Sequence, residues 1–234
     1  MRIGRGGGGG GGRRESRGTV VLLHGLGRTP RAMWPISLAA RHQGYEVLNL
    51  GYRSRRGNIA AHAEAVADRL ARVDPDGERG WNFVTHSLGG IVLRHAVAVG
   101  LLDAARIRRV VMLSPPNQGS EVARFVCEHR IAGPVSRRLL GPSGPELAAG
   151  DGGIVRQLPP VSFETGVIAG TRHANPFFQN VLRDDNDGTV SVSDTMVPGM
   201  SDHLVVRHGH TFIMAAPDVI RQVFTFLDTG RFAR

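Results

Sequence analysis

The sequence predicts an α/β protein, a three-layer α/β/α sandwich on a mostly parallel sheet of about six strands. Three observations predict it. Short apolar runs of strand character alternate with helix-like segments along the chain. The longest helix-like segment carries Ile59, Ala63, Val66, Leu70 and Val73 at helical spacing, the stripe of a helix packed on a core. At 234 residues and 41% hydrophobic content the chain fits one domain with a sizeable core. In chain order the strands are expected at 19–23, 46–50, 81–85, 107–113, 166–169 and 204–207. The helices are expected at 31–42, 58–73, 88–99, 121–130 and 218–227. No internal repeat and no large inserted cap domain is seen. The segment 122–160, broken by Gly133-Pro134, Gly141-Pro142 and Gly144-Pro145, is the one place for a small lid. Ligands of such sheets sit at the carboxyl ends of the strands, so the loops there are where a site is sought.

Composition bounds the rest. Residues 1–17 are Gly and Arg with almost nothing to bury and are expected to be a disordered tail, leaving 18–234 as the folded domain. The tail lacks the apolar core of a signal peptide. The formal net charge is +9, and every basic residue is Arg, with short runs at Arg53-Ser54-Arg55-Arg56 and Arg137-Arg138. Such a charge attracts anionic lipid or nucleic acid. The Arg-Gly tail has no interleaved aromatic to stack a base, and no base-reading module is present, so nucleic acid is not the expected partner. Peripheral contact with an anionic membrane is the partner reading that remains. The Arg53–Arg56 run follows the second strand, where it would favour acidic substrates. Cys127 is the only cysteine, which excludes an intramolecular disulfide. No segment is long and apolar enough to span a membrane. A cytoplasmic location, with membrane association, is expected.

The most informative stretch is Phe83-Val84-Thr85-His86-Ser87-Leu88-Gly89-Gly90. A strand-like run enters it and a helix-like run, Ile91 to Val97, leaves it. Ser87 therefore falls in a tight strand-to-helix turn that lifts its hydroxyl clear of the backbone beside a helix amino terminus, the setting of a nucleophile elbow. A serine hydroxyl is a weak nucleophile at its own pKa. It needs a histidine to take its proton and a carboxylate to orient that histidine. The downstream histidines are His95, His129, His173, His203, His208 and His210. His95 lies on the helix leaving Ser87 and is badly placed. His210 precedes Thr211-Phe212-Ile213-Met214 and the final helix; His208 is its rival. The run Arg183-Asp184-Asp185-Asn186-Asp187-Gly188-Thr189-Val190 offers three carboxylates, and Asp194 and Asp202 follow as weaker candidates. Such an acidic cluster can mimic a cation loop, but its spacing is not that of an EF-hand, and no metal is expected.

Taken together, His24-Gly25-Leu26-Gly27, Thr85-His86-Ser87-Leu88-Gly89-Gly90, Asp187-Gly188-Thr189-Val190 and His210-Thr211-Phe212 resemble the α/β-hydrolase superfamily. Within it they resemble the small bacterial lipase/esterase branch. The likeness runs from about Thr19 to about Leu227. Ser114-Pro115-Pro116-Asn117-Gln118-Gly119-Ser120, after strand 107–113, is similar to a lipase strand-end loop that borders the acyl pocket. One departure is Thr85, which stands at the first position of the usual G-x-S-x-G.

The resemblance implies the chain order Ser, acid, His, with Ser87 as nucleophile, Asp187 as acid and His210 as base. Asp-Gly-x-Val is similar to the acid loop of bacterial lipases, Gly188 permitting the turn that points the carboxylate at the histidine. The backbone N–H groups of Leu26 and Leu88 are the implied oxyanion donors, with Gly25 and Gly27 letting that backbone approach the substrate. His24, Gly25, His86 and Pro115 are the implied substrate-binding residues. The implied reaction is hydrolysis of a carboxylic ester or lipid through an acyl-enzyme, with no cofactor. A thioesterase, amidase or acyltransferase would use the same residues. A non-catalytic binding protein on this fold is the remaining alternative, and the intact set Ser87, Asp187, His210 argues against it.

Overall fold

The computed structural model describes residues 16–128, 140–148, 150, 153–172, 181–182 and 185–234. Six strands form one sheet: β1 (Thr19–Leu23), β2 (Glu46–Leu50), β3 (Trp81–His86), β4 (Ile107–Leu113), β5 (Glu164–Gly170) and β6 (Asp202–Val206). Their spatial order is β2-β1-β3-β4-β5-β6, and every pairing is parallel. Parallel neighbours need long crossovers. Among the described residues these contain α1 (Trp34–His42), α2 (Ile59–Val73), α3 (Leu88–Ala98), α4 (Glu121–Glu128), α5 (Ser143–Ala148), α6 (Ile154–Gln157) and α7 (Val192–Thr195); α8 (Pro217–Thr229) follows β6.

Alternation along the strands divides the core in two. Val21, Leu23, Phe83, Val110, Met112 and Val167 point to the face covered by α2 and α3, where they meet Ile59, Ala63, Val66, Leu70, Leu88, Ile91 and Val92. Val20, Leu22, Val84, Val111, Leu113 and Ile168 point to the face covered by α1 and α8, where they meet Met33, Ile36, Val219, Val223 and Phe226. Both faces of the central strands are therefore buried, which is why these runs read as continuously apolar. The three-layer expectation is the observed architecture.

Where the elements depart from expectation, the causes are local. The segment expected as one helix over 31–42 is a 3-10 turn, Pro30–Met33, followed by α1. Pro35 has no N–H to donate and suits only the first helical turn, so the α-helix starts at Trp34. At the start of α2, Asn58 stands outside the helix and its side chain accepts the Ala61 N–H at 2.9 Å, a local cap. β5 is longer than expected at both ends. Its Gly166 looks like a strand breaker, but a methyl there would lie 2.6 Å from the Phe226 ring, so the glycine is what lets α8 close on the sheet. β6 begins two residues early, at Asp202, whose carboxylate accepts the His203 and Phe232 N–H groups and pairs with Arg234.

The expected tail, 1–17, lies outside the described residues up to 15. Arg17 is fastened: its N–H donates to Gly44 O at 3.2 Å and its guanidinium lies over the Tyr45 ring. Of the expected lid segment, 129–139, 149 and 151–152 lie outside the described residues. The described part docks on the body of the domain. Ser143 Oγ donates to Gly57 O at 3.0 Å, and the Glu146 carboxylate accepts the Ile59 N–H at 2.7 Å. No helix among the described residues is long and apolar enough to cross a membrane.

One buried cation ties the layers together. Arg94, on the inner face of α3, donates to Asn117 O and Oδ1 at 3.2 and 3.1 Å and to Leu158 O and Pro159 O at 3.2 and 3.3 Å. Asn117 Nδ2 donates onward to Thr195 O at 2.7 Å. Burial lowers the Arg94 pKa to about 10, so the group remains charged at neutral pH. Arg94→Met keeps the stem but strands these acceptors away from water. It is expected to cost about 2–4 kcal/mol, read as a lower denaturant midpoint; an unchanged midpoint would show that the network contributes nothing.

Candidate active site

All the loops singled out from sequence follow the carboxyl ends of strands, and parallel pairing brings those ends to one edge. Ser87 follows β3 with φ 51° and ψ −123°. This left-handed conformation is uncommon for a residue with a side chain and costs about 1–3 kcal/mol. Two bonds hold it: Ser87 N–H donates to Leu113 O at 2.9 Å, and Ser87 O accepts the Gly90 N–H at 3.0 Å. The glycines after it have distinct jobs. A methyl on Gly89 would lie 2.6 Å from Leu23 O, so only glycine lets the start of α3 cross the end of β1. A methyl on Gly90 would lie 3.2 Å from Thr85 Oγ1. The departure at Thr85 is thus accommodated from the other side of the contact, by the missing side chain of Gly90.

The hydroxyl of Ser87 ends a linear hydrogen-bonded chain. His210 Nε2 lies 3.1 Å from Ser87 Oγ, and His210 Nδ1 lies 2.7 Å from Asp187 Oδ2. The acid sits in a tight turn. Its Oδ1 accepts the N–H groups of Thr189 and Val190 at 3.0 and 2.9 Å, and Gly188 takes φ +92°. The Asp187 carbonyl accepts the His210 N–H at 3.0 Å, so acid loop and histidine loop are also joined through backbone. Burial acts to raise the Asp187 pKa. The neighbouring His210 and its hydrogen bond, with the Ser114 side chain and the Val190 N–H, outweigh burial and hold the carboxyl below its ordinary value. The Ser114 hydroxyl lies near this carboxylate but short of good hydrogen-bond geometry. Ser114 also has a positive φ, 45°, at the end of β4 beside Ser87.

The structure separates the rivals. His208 pairs with Asp218 at 2.9 Å, and His203 Nε2 bonds Thr195 Oγ1 at 3.0 Å. His95 is buried on α3. Asp185 is exposed, and Asp202 is engaged at the start of β6. Asp184, His129 and His173 lie outside the described residues. No group of three or more potential metal ligands occurs among the described residues.

The loop after β1 touches Ser87. A methyl on Gly25 would lie 3.1 Å from Ser87 Cβ and 2.8 Å from His86 Nδ1. The Arg28 N–H closes a turn onto Gly25 O at 3.2 Å, with Gly27 at φ +68°. This sets Leu26 in the loop beside Ser87, while Leu88 begins α3 directly after it. His24, expected to contact substrate, instead turns its ring inward with no exposed surface. The ring stacks on Tyr52 at 4.4 Å, and its Nδ1–H donates to Gly25 O at 2.9 Å. His86, likewise expected to contact substrate, is 1% exposed. Its ring lies 4.8 Å from that of His210, and its Nε2–H donates to His210 O at 3.0 Å. Both rings support the loops that reach Ser87. Pro115 is buried against Gly90, at the base of the nucleophile helix.

Three supporting groups were not legible in the sequence. Tyr52 OH donates to His24 O, and Ser54 Oγ accepts the Gly27 N–H at 3.0 Å. Together they clamp the β1 loop from the loop after β2. Gly170 closes the other side: a methyl there would lie 2.9 Å from Asp187 Cβ and would also strike His208 O. A glycine ending a strand just before the acid loop is the only trace the sequence carries of this contact.

Two predictions follow from this packing. Gly89→Ala forces backbone apart at the β1–α3 crossing, so it is expected to cost about 1–3 kcal/mol and to weaken any reactivity of Ser87; a variant as stable as the parent would contradict the tight crossing. The second concerns pH. His24, His62, His86 and His203 all have pKa values lowered from 6.5, chiefly by burial, His86 most. Between each lowered value and 6.5 the unfolded chain binds more protons than the folded one, so stability rises with pH there and falls as acid is added. The thermal midpoint is therefore expected to drop between about pH 7.5 and about pH 5.5, with a shallower drop in His86→Asn; a flat profile would contradict neutral burial.

No protein-family model matches the sequence, and no curated protein is similar to it in sequence. Solved structures are similar in fold. The mature form of the Bacillus licheniformis lipase BlEst2 superposes with a TM-score of 0.71 at 17% identity, over 93% of each chain. The metagenomic carboxyl esterase MGS0156 gives 0.62 at 21% identity, over 89% of this chain and 70% of that one. Phospholipase PlaB from Legionella pneumophila gives 0.60 at 20% identity, over 76% of this chain and 45% of that one. Six parallel strands, helices on both faces and this likeness together give the chain the α/β-hydrolase fold of bacterial lipases and esterases.

Proposed function

We propose that this chain is a serine hydrolase that cleaves carboxylic esters through an acyl-enzyme. The observation that carries the reading is the unbroken chain Ser87 Oγ, His210 Nε2, His210 Nδ1, Asp187 Oδ2, at 3.1 and 2.7 Å. In the forward step His210 Nε2 takes the Ser87 proton as Oγ attacks the ester carbonyl. The C–O bond to the alcohol then breaks, and His210 returns the proton to the leaving alkoxide. Water, deprotonated by the same Nε2, attacks the acyl-enzyme and releases the acid. Asp187 accepts from Nδ1–H throughout, which fixes the tautomer with Nε2 free to accept and stabilises the imidazolium. The N–H groups of Leu26 and Leu88 face the tetrahedral oxyanion; each such donor is worth about 3–4 kcal/mol of barrier. No step calls for a cofactor.

The similarity of fold to lipases, esterases and a phospholipase favours esters over other acyl groups. A thioesterase, amidase or acyltransferase would use the same atoms, and a panel of thioesters, amides and acceptor alcohols separates these. The decisive experiment is labelling with a fluorescent fluorophosphonate. Wild-type protein is expected to label. Ser87→Ala is expected not to label and to lose ester turnover by on the order of a thousandfold or more. Asp187→Asn, which favours the wrong tautomer, is expected to lose about ten-thousandfold in kcat while staying folded. Labelling that survives Ser87→Ala, or a folded wild type that never labels, would overturn the reading.

A further inference from the structure

The arginines beside the proposed oxyanion loop are not used by the mechanism. Gly27 follows Leu26 directly, and a methyl on Gly27 would lie 2.8 Å from Arg55 Nη2 and 3.0 Å from Arg55 Nε. The Arg55 guanidinium therefore lies flat against the loop that touches Ser87. Its backbone is held there. Gly141 packs against the Arg55 carbonyl, and the neighbouring Ser54 hydroxyl accepts the Gly27 N–H at 3.0 Å. The side chain itself is exposed, and no carboxylate among the described residues pairs with it. Arg28, at the end of the same turn, lies close enough to His86 to contribute to lowering its pKa, behind burial and His210. Arg28 also has no carboxylate partner among the described residues. Arg53 and Arg56 are exposed in the same β2–α2 loop.

A cation held against a catalytic loop with its donors open to solvent is a receptor for an anion, because guanidinium presents paired N–H groups that match carboxylate and phosphate oxygens. We infer that Arg55, assisted by Arg28, binds an anionic oxygen group on the substrate and makes the enzyme selective for acidic esters over neutral ones. The shared chemistry is a carboxylate on the acyl side or a phosphate on the alcohol side. Arg55 is in this reading a specificity residue, and the inference rests on the ester-hydrolase reading of the same site.

The test pairs substrates that share the scissile ester and differ by one anionic group. On the acyl side these are the p-nitrophenyl butyrate and hemisuccinate; on the alcohol side, a monoacylglycerol and the lysophosphatidate with the same acyl chain. The anionic-to-neutral ratio of kcat/KM is expected to fall about tenfold or more in Arg55→Ala for at least one pair, mainly through KM. It should recover in part in Arg55→Lys and decline with added salt in the wild type. Which pair responds identifies the source of the anion. A ratio unchanged in both pairs would overturn the inference. So would an equal loss on all four substrates, which would make Arg55 a prop for the loop. Calorimetry with succinate and with butyl phosphate on Ser87→Ala, with and without Arg55→Ala, needs no turnover. Binding that depends on Arg55, together with a folded wild type that hydrolyses no ester, would refute the hydrolase reading and keep the anion site. Turnover with no Arg55-dependent binding or ratio would refute the anion site alone.

Discussion

The site depends on one backbone crossing, where the turn from β3 into α3 runs against the end of β1. Gly89 is the point of contact, facing Leu23 O and His24 O with no room for a methyl. If the crossing opened, Gly25 would leave Ser87, and the loop carrying Leu26 would lose its place. The left-handed backbone of Ser87 would also lose its support, since its N–H reaches Leu113 O only while β3 and β4 stay in register. Strain of this kind persists only where the surroundings over-determine it. Here two core clusters, one on each side of the sheet, supply that rigidity, and the strained residue stands at their shared edge.

Behind Ser87, His210 and the loop after β1 lies a layer of buried polar groups. His24, Tyr52 and Ser54 fix the β1 loop; His86 fixes the histidine loop through its bond to His210 O; Arg94 and Asn117 join the nucleophile helix to the loop after β4. The hydrogen bonds these groups make specify position, because displacement leaves a donor or acceptor without its partner away from water. The histidines of this layer serve best as neutral rings. In the proposed reaction, an imidazolium at His86, packed on His210, would repel the positive charge that His210 carries as Ser87 attacks. Burial, which keeps His86 neutral, thus serves both packing and the electrostatics of the site.

The parts of this arrangement that were legible in the sequence are those written in local pattern. The bounds of β1, β2 and β4 follow from apolar runs with clear punctuation. The elbow around Ser87 follows from a strand, a serine, small residues and a helix in succession. Asp187 stood out because Asp-Gly-x-Val resembles the acid loop of bacterial lipases, and the left-handed φ of Gly188 is what the turn uses. The ends of β5 and β6 were hidden because Gly166 and Asp202 break local rules for reasons that lie far away in the chain, at Phe226 and at Phe232. The inward turn of His24 and His86 was hidden for the same reason. A histidine beside a catalytic motif reads as a ligand contact until its hydrogen-bond partners, Tyr52 and His210, are known. Arg94 carried a faint signal, an arginine on the buried face of an apolar helix, but its acceptors on Asn117, Leu158 and Pro159 are non-local.

The two histidine–aspartate pairs show why residue type alone does not select a base. His208 and His210 stand two positions apart, and each meets an aspartate at hydrogen-bond distance, 2.9 and 2.7 Å. Their surroundings differ. The side chains of His208 and Asp218 are 33% and 47% exposed, whereas those of His210 and Asp187 are 13% and 0% exposed. Water competes for the bonds of the first pair and screens its charge. Asp187 is shielded, receives two backbone N–H groups on one oxygen and spends the other on His210, so its orientation is fixed before any substrate arrives. In the proposed reaction such preorganisation costs nothing at the moment of attack and acts at the low effective dielectric of the interior, where charge stabilisation is strongest. An aspartate beside an imidazole ring is an ordinary surface ion pair in one place and, in the proposed reaction, a means of activating a hydroxyl in the other. What separates them is the burial of the carboxylate and the arrival of Ser87 Oγ at the far nitrogen.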